Sequence, residues 1–288
     1  MTARAFYPGD CRRDLETFTS DYKPPDDLAS ALAGAVLPHG GWIYSGTVAA
    51  RTLACLAANS NPETIVIFGG VHVPLMKHAL YPSGRWATPL GDIEVDAEMG
   101  AALVKNSDGL LQPNSAAHLQ EHSIEVLAPM VKYFFPSASL VPILTLPDDS
   151  ALRLGQLIGE ALVNLNVPVV LLASSDLTHY GVEYGMLSAG TGPPGEKWMR
   201  SNDQRMIERL CTGNGASILH EAQVRQNACG PGALAALREA LSVMGYSRGR
   251  LIEYATSHDA GRDPFFRRAV GYVGLVYGPA GKDDPTSI

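Results

Sequence analysis

The chain has 288 residues, 46% of them hydrophobic, and a formal net charge of -7 at neutral pH. That apolar content supplies one large core or two small ones, so disorder is not the default. The negative balance, with no run of Lys or Arg to overturn it, argues against a nucleic-acid surface and leaves small molecules or other proteins as partners.

No basic, apolar and small-residue series opens the sequence, and no apolar stretch reaches bilayer length, so a soluble, cytoplasmic protein without a membrane partner is expected. Taken in chain order, strand-like and helix-like segments alternate without repeats. Strand GAVLP (34–38) leads to helix GTVAARTLACLAA (46–58), then strand TIVIFG (64–69). Helices DAEMGAALVKN (96–106) and HSIEVLAPMVKYF (122–134) precede strand SLVPIL (139–144), helix DSALRLGQLIGEALVN (149–164) and strand PVVLLAS (168–174). A Gly- and Pro-rich stretch at 183–197 reads as a long surface loop and candidate lid. Helices 197–211 and 231–244 and strands RLIEYAT (250–256) and GYVGLVY (271–277) complete the series. Asp149 and Ser150 stand where N-caps belong, and Gly245 where a helix stops.

The strands are apolar on both faces, as a sheet covered on both sides requires. The expectation is one α/β domain over 1–288, a largely parallel or mixed central sheet with helices on both faces. In such folds ligands bind beyond the carboxyl ends of the strands.

That rule selects the chemistry-bearing residues. His39 in LPHGG and His72 in FGGVH each follow a strand beside a glycine pair, which lets the backbone turn tightly and leaves room for the ring. Strand 168–174 delivers Ser174, Ser175, Asp176 and His179 to the same edge, where a carboxylate near an imidazole fixes its tautomer. The plainer reading is that Ser and Asp cap a short helix carrying His179. Cys229 precedes a helix whose positive end favours a thiolate, or else is a small packed side chain. Cys55 reads as core, and all four cysteines as reduced thiols. His118, Glu121, His122 and Glu125 form a further cluster whose capping and functional readings are balanced; its spacing is not HExxH.

Six stretches, AFYPGD, LPHGGWIYSGTVAA, FGGVHVP, EHSIEVLAPMV, ASSDLTHYG and ACGPGAL, occur in the order and spacing of the Memo family, known in microbes as AmmeMemoRadiSam system protein B. The chain resembles that family over nearly its whole length, and the family is similar in fold to the LigB-like class III extradiol dioxygenases. The resemblance implies a pocket metal held by His39, His72 and Cys229, with Asp176 and His179 as catalytic residues and Glu121, His122 and Ser175 lining the pocket. Two imidazoles and a thiolate suit Fe(II) first, then copper or zinc, better than magnesium or calcium. Ring-cleaving relatives use a carboxylate in the third place, so the cysteine argues against catechol cleavage.

The expectation is a non-haem iron or copper oxidoreductase of unidentified substrate, with His179 moving a proton and Asp176 orienting a neighbour. One alternative is a metal-independent hydrolase with Cys229 as nucleophile and His39 or His179 as base. A serine hydrolase through Ser174 or Ser175 lacks the GxSxG elbow. A non-enzymatic phosphopeptide module is the third, since animal Memo relatives are associated with phosphotyrosine peptides; it would want an arginine cluster beside the pocket motifs, which the sequence does not show, Arg51 and Arg85 being the nearest to His39 and His72. The family also implies AMMECR-type and radical SAM partners. This chain has no CxxxCxxC cluster of its own.

Overall fold

The computed structural model describes residues 5–7, 9–26, 28, 31–261 and 263–279. Pro8 of AFYPGD and residues 280–288 of the expected domain lie outside them. In chain order, α1 (Cys11–Thr19) precedes β1 (Gly34–Leu37), α2 (Trp42–Ala58) and β2 (Thr64–Gly69). Next come β3 (His78–Leu80), β4 (Arg85–Trp86), β5 (Ile93–Glu94), α3 (Ala97–Lys105), β6 (Leu111–Pro113), α4 (Ser115–His118) and α5 (Ala128–Phe134). Then follow β7 (Ser139–Leu144), α6 (Ser150–Leu165), β8 (Val169–Ser174), β9 (His179–Tyr180), α7 (Pro193–Thr212) and α8 (Gly215–Arg225). The last are α9 (Pro231–Val243), β10 (Gly249–Thr256), α10 (Ser257–Ala260) and β11 (Ala269–Tyr277).

The α/β class holds, and the main sheet is mixed. Its order is β10-β11-β1-β8-β2-β7-β3-β6, with β9 paired to β11. The four central strands β1, β8, β2 and β7 run parallel. On one side lie β11, antiparallel to β1, and β10, antiparallel to β11, and β3, antiparallel to β7, flanks the other. All four parallel strands therefore open their carboxyl ends at one edge.

Alternate side chains of each strand serve two cores, which is why the strands read as unbroken apolar runs. Val36, Val66, Phe68, Ile143, Leu171 and Ala173 pack with residues of α6, α7, α8 and α9. Leu37, Ile65, Ile67, Leu140, Val170 and Leu172 pack on the opposite face with α1, α2 and α5. Each fully buried large side chain contributes about 1.5–3 kcal/mol. Cys55 is fully buried in the second cluster, as expected, and none of the four cysteines is in a disulfide.

Several boundaries differ from expectation, each for a local reason. The helix expected at 122–134 is regular only from Ala128: residues 123–127 form turns, the Glu121 carboxylate holds the amides of His122 and Ser123 at their start, and Pro129 sits in the first turn of α5, where its missing N–H costs nothing. The loop at 183–197 is shorter: Val182–Tyr184 form a 3-10 turn and α7 starts at Pro193. Asp149 occupies an N-cap position without a side-chain bond, while Asp148 accepts from the Ser150 amide at 2.9 Å. Gly245, at φ 89°, follows the end of α9 as expected. Helices α1 and α8 were not anticipated; Asp10 and Asn214 cap them. Among the described residues no helix is long and apolar enough to cross a membrane.

Candidate metal centre

The residues singled out at the strand ends converge. β1 delivers His39, β2 delivers His72, β8 delivers Ser174 to Asp176, and the turn before α9 brings Cys229 beneath them. Ligand atoms of His39, His72 and Cys229 all lie within 4.8 Å of one another. Two overlapping sets, His72 with Glu121 and His122, and Asp176 with His179 and Cys229, meet the same limit.

The glycines beside the histidines act through close approach. None of Gly40, Gly41, Gly69 and Gly70 has a positive φ, so the tight turn expected of them is not their role. A Cβ on Gly70 would stand 3.0 Å from the Gly230 backbone, and one on Gly40 would stand 2.7 Å from the Tyr272 ring. The missing side chains let the Cys229 turn and the strand ends pack against each other.

Hydrogen bonds fix how each histidine presents itself. Ser174 Oγ donates to the Ser123 carbonyl at 2.6 Å, so it accepts from His39 Nδ1–H at 2.8 Å. His39 Nε2 then carries the lone pair, 3.2 Å from Cys229 Sγ. Glu121 accepts from His72 Nδ1 at 2.9 Å, and from the amides of His72, His122 and Ser123. Burial alone would raise this carboxyl, but the His72 side-chain and backbone bonds and the Ser123 amide bring it down to about 2. Both histidines thus hold Nδ1 outward and leave Nε2 for a ligand, the arrangement that orients metal-binding imidazoles. Burial first, then His72 and His122, holds His39 well below its ordinary pKa and keeps the ring neutral.

Cys229 corrects the expectation of a dipole-stabilised thiolate. It lies one residue ahead of the α9 N-cap, Gly230, and burial, followed by the Asp176 carboxylate, pushes its thiol well up despite the amide of Asp176 at 3.2 Å. A cation is what would turn this thiol into a thiolate. With metal–sulfur and metal–nitrogen bonds of ordinary length, tetrahedral ligation sets S and N about 3.5 Å apart. The observed 3.2 Å needs only a small adjustment, so the donor set fits a first-row transition metal.

The remaining predicted residues divide. His122 lines the cleft, its ring stacked on Phe6 at 4.9 Å and 4.6 Å from the His72 centroid. Asp176 does not fix the His179 tautomer. Its Oδ2 is 4.0 Å from His179 Nε2, too long for a hydrogen bond, while Oδ1 accepts from the amides of His39 and Gly40 at 2.7 and 3.1 Å. Burial raises its carboxyl, and His179 with those amides pulls the other way. No short helix carries His179; it sits in β9, against β11, and its Nε2 has no hydrogen-bond partner. Ser175 does not line the cleft: it is fully buried, donating to Asp176 O and accepting from Gly230 N–H. Glu121 also lies behind the histidines it orients.

Above the centre opens a cleft of about 830 Å³. Phe6, Tyr44, Tyr184, Phe265 and Tyr272 supply aromatic wall. Arg267 and Arg268 line it as well, paired with Asp263 and Glu183, so the cleft has arginines although no arginine cluster adjoins the pocket motifs in the sequence. They were missed because β11 is antiparallel to the central strands, so its start lies at the edge where those strands end. Arg51 is instead held by Asp21 and Glu253.

The family model for Memo-like protein matches residues 2–276. A MEMO1 family protein of Methanopyrus kandleri is 36% identical over 292 residues, covering 96% of both chains. One from Pyrococcus horikoshii is 35% identical over 286 residues, covering 95% of this chain and 97% of that one. Among solved structures, an uncharacterized protein of Escherichia coli K12 matches with TM-score 0.56 at 13% identity, covering 86% of this chain and 100% of that one, a likeness of fold alone. By the span of the family model and the identity to these relatives, the chain belongs to the Memo family.

Proposed function

We propose that His39, His72 and Cys229 hold one transition-metal ion, Fe(II) in first place with copper or zinc behind it, and that the chain is a mononuclear non-haem oxidoreductase acting on a small molecule. The observation that carries this reading is the convergence of the three donors, with both histidines already tied down at Nδ1. When bound, iron or copper supplies Lewis acidity and redox chemistry at an open position.

The chain's own residues contribute the rest. His179 lines the cleft with an unpartnered Nε2, and burial lowers its pKa against the pull of Asp176, so a neutral ring can accept a substrate proton. Asp176 holds the His39 backbone through two amides and so positions the first ligand. Phe6 and Tyr184 cover His122 and His179 and limit water at the centre.

The raised thiol of Cys229 speaks against a metal-independent cysteine nucleophile, which needs a lowered pKa. Ser174 and Ser175 are consumed by hydrogen bonds on both sides, which leaves neither poised for attack. Arg267 and Arg268 do favour a second reading, an anion-binding cleft that needs no turnover.

Elemental analysis of protein purified without oxygen, comparing wild type with Cys229→Ala, tests the metal. About one iron or copper per chain, lost in a folded variant, is expected. A folded wild type that stays metal-free after anaerobic reconstitution overturns the proposal. Binding of phosphotyrosine with and without chelator separates the anion-binding reading, since that module should not need the metal.

A further inference from the structure

The stretch from the end of α4 to the start of α5 serves two places. Glu121 and His122 belong to the metal centre, whereas His118 and Glu125 line a separate pocket of about 140 Å³ with Tyr81, Arg85 and Trp86. The rings of Tyr81, Trp86 and His118 have centroids 5.2, 5.6 and 5.8 Å apart and interplanar angles of 63°, 84° and 86°. The His118 ring stands nearly perpendicular to both Tyr81 and Trp86, so the three rings form a corner.

The two buried polar side chains of this corner, His118 and Glu125, offer acceptors, while Arg85 is an exposed cation on the same wall. His118 is 5% exposed, and its Nε2–H donates to the Ala79 carbonyl at 3.2 Å. A carbonyl only accepts, so the hydrogen is on Nε2, and Nδ1 carries a lone pair. Nδ1 is buried and has no hydrogen-bond partner. Burial, against the Ala79 bond and Glu121, brings the ring down to about 4 and keeps it neutral. Glu125 adds a buried acidic side chain to the same wall. Arg85 is drawn to Glu94, its Nε 2.7 Å from Oε1 across the β4–β5 pair, so its charge is matched there.

Aromatic faces, an acidic side chain and an unused nitrogen lone pair together favour a cation that carries N–H donors. The pocket falls below the roughly 300 Å³ at which drug-sized sites begin, so it suits one side-chain-sized head group. We propose that this pocket binds a primary ammonium or guanidinium group, either on a free amine or on a lysine or arginine of a partner.

Trp86 is the reporter. In wild-type protein, n-butylammonium and methylguanidinium should each shift the Trp86 indole N–H resonance saturably, and 1-butanol should not. Glu125→Gln should weaken both cations about three- to tenfold. Absence of a saturable shift with either cation, or equal shifts from butanol, overturns the proposal without requiring any variant to fold. A peptide with one lysine among neutral residues that binds more tightly than n-butylammonium assigns the head group to a polypeptide; equal or weaker binding assigns it to a free amine.

Discussion

His39 Nδ1 stands 2.8 Å from the hydroxyl of Ser174, and that hydroxyl is already committed as a donor to Ser123 O. The pair fixes the tautomer of a buried imidazole before any ligand arrives. Ser174→Ala removes the acceptor and frees His39 to place its proton on either nitrogen. The expected result is a roughly 10- to 100-fold loss of metal affinity in chelator competition. Nitrogen-15 NMR of the metal-free variant should show a mixture of tautomers where the wild type shows only Nδ1–H. An unmixed Nδ1–H signal in the variant would refute the positioning role.

How much of this was legible in the sequence depended on which side of a residue the structure constrains. The strands were legible because β1, β2, β7 and β8 bury both faces, and the strand-end rule then found His39, His72, Ser174 and Asp176. Arg267 and Arg268 were not, since that rule looks at carboxyl ends and β11 reaches the site from its amino end. The segment 122–127 kept a helical pattern of apolar residues but forms irregular turns, with Val126 N–H on His122 O and Leu127 N–H on Ile124 O, and the Glu121 carboxylate holds its first two amides. Periodicity cannot register a hydrogen bond made by Glu121, a residue outside the repeat.

Glu121 supplies the second prediction. Its two oxygens accept from one ring nitrogen and three amides. Glu121→Gln turns one oxygen into a donor that faces other donors in a buried place. Stability should fall by about 2–3 kcal/mol, and metal affinity with it. Urea unfolding with chelator present isolates the first effect; an unchanged midpoint would mean the carboxylate is not needed to hold the turn.

Asp203 supplies a pH dependence at a distance from the proposed ligands. It is fully buried, accepts from the Thr178 amide at 2.9 Å and the Tyr254 hydroxyl at 2.7 Å, and burial still pushes its carboxyl from 3.8 up to about 6. The folded state therefore holds a proton that the unfolded chain has released, so stability falls as pH rises from the unfolded value to about 6. The loss is at most about 3 kcal/mol. Asp203→Asn keeps an oxygen for Thr178 and does not titrate. Its urea midpoint should decline less than that of the wild type across that window, and parallel profiles would show that Asp203 titrates normally.

Two glycines with opposite constraints give the last prediction. Gly230 has φ of -115°, which any residue adopts, but a Cβ there would lie 2.6 Å from Ser174 O and 3.2 Å from Ser175 Cβ. Gly245 has open space around it and a φ of 89° that only glycine adopts easily. Gly230→Ala must push the Cys229 turn away from β8, at a cost of about 1–3 kcal/mol from overpacking. Because Cys229 Sγ lies 3.2 Å from His39 Nε2 on that same turn, metal affinity should fall as well. Gly245→Ala should cost about 1 kcal/mol through backbone strain alone and leave metal binding intact. Measuring unfolding midpoints and metal content for both separates the two causes: if each variant loses stability while both retain full metal affinity, the close approach at Gly230 does not set the position of the cysteine.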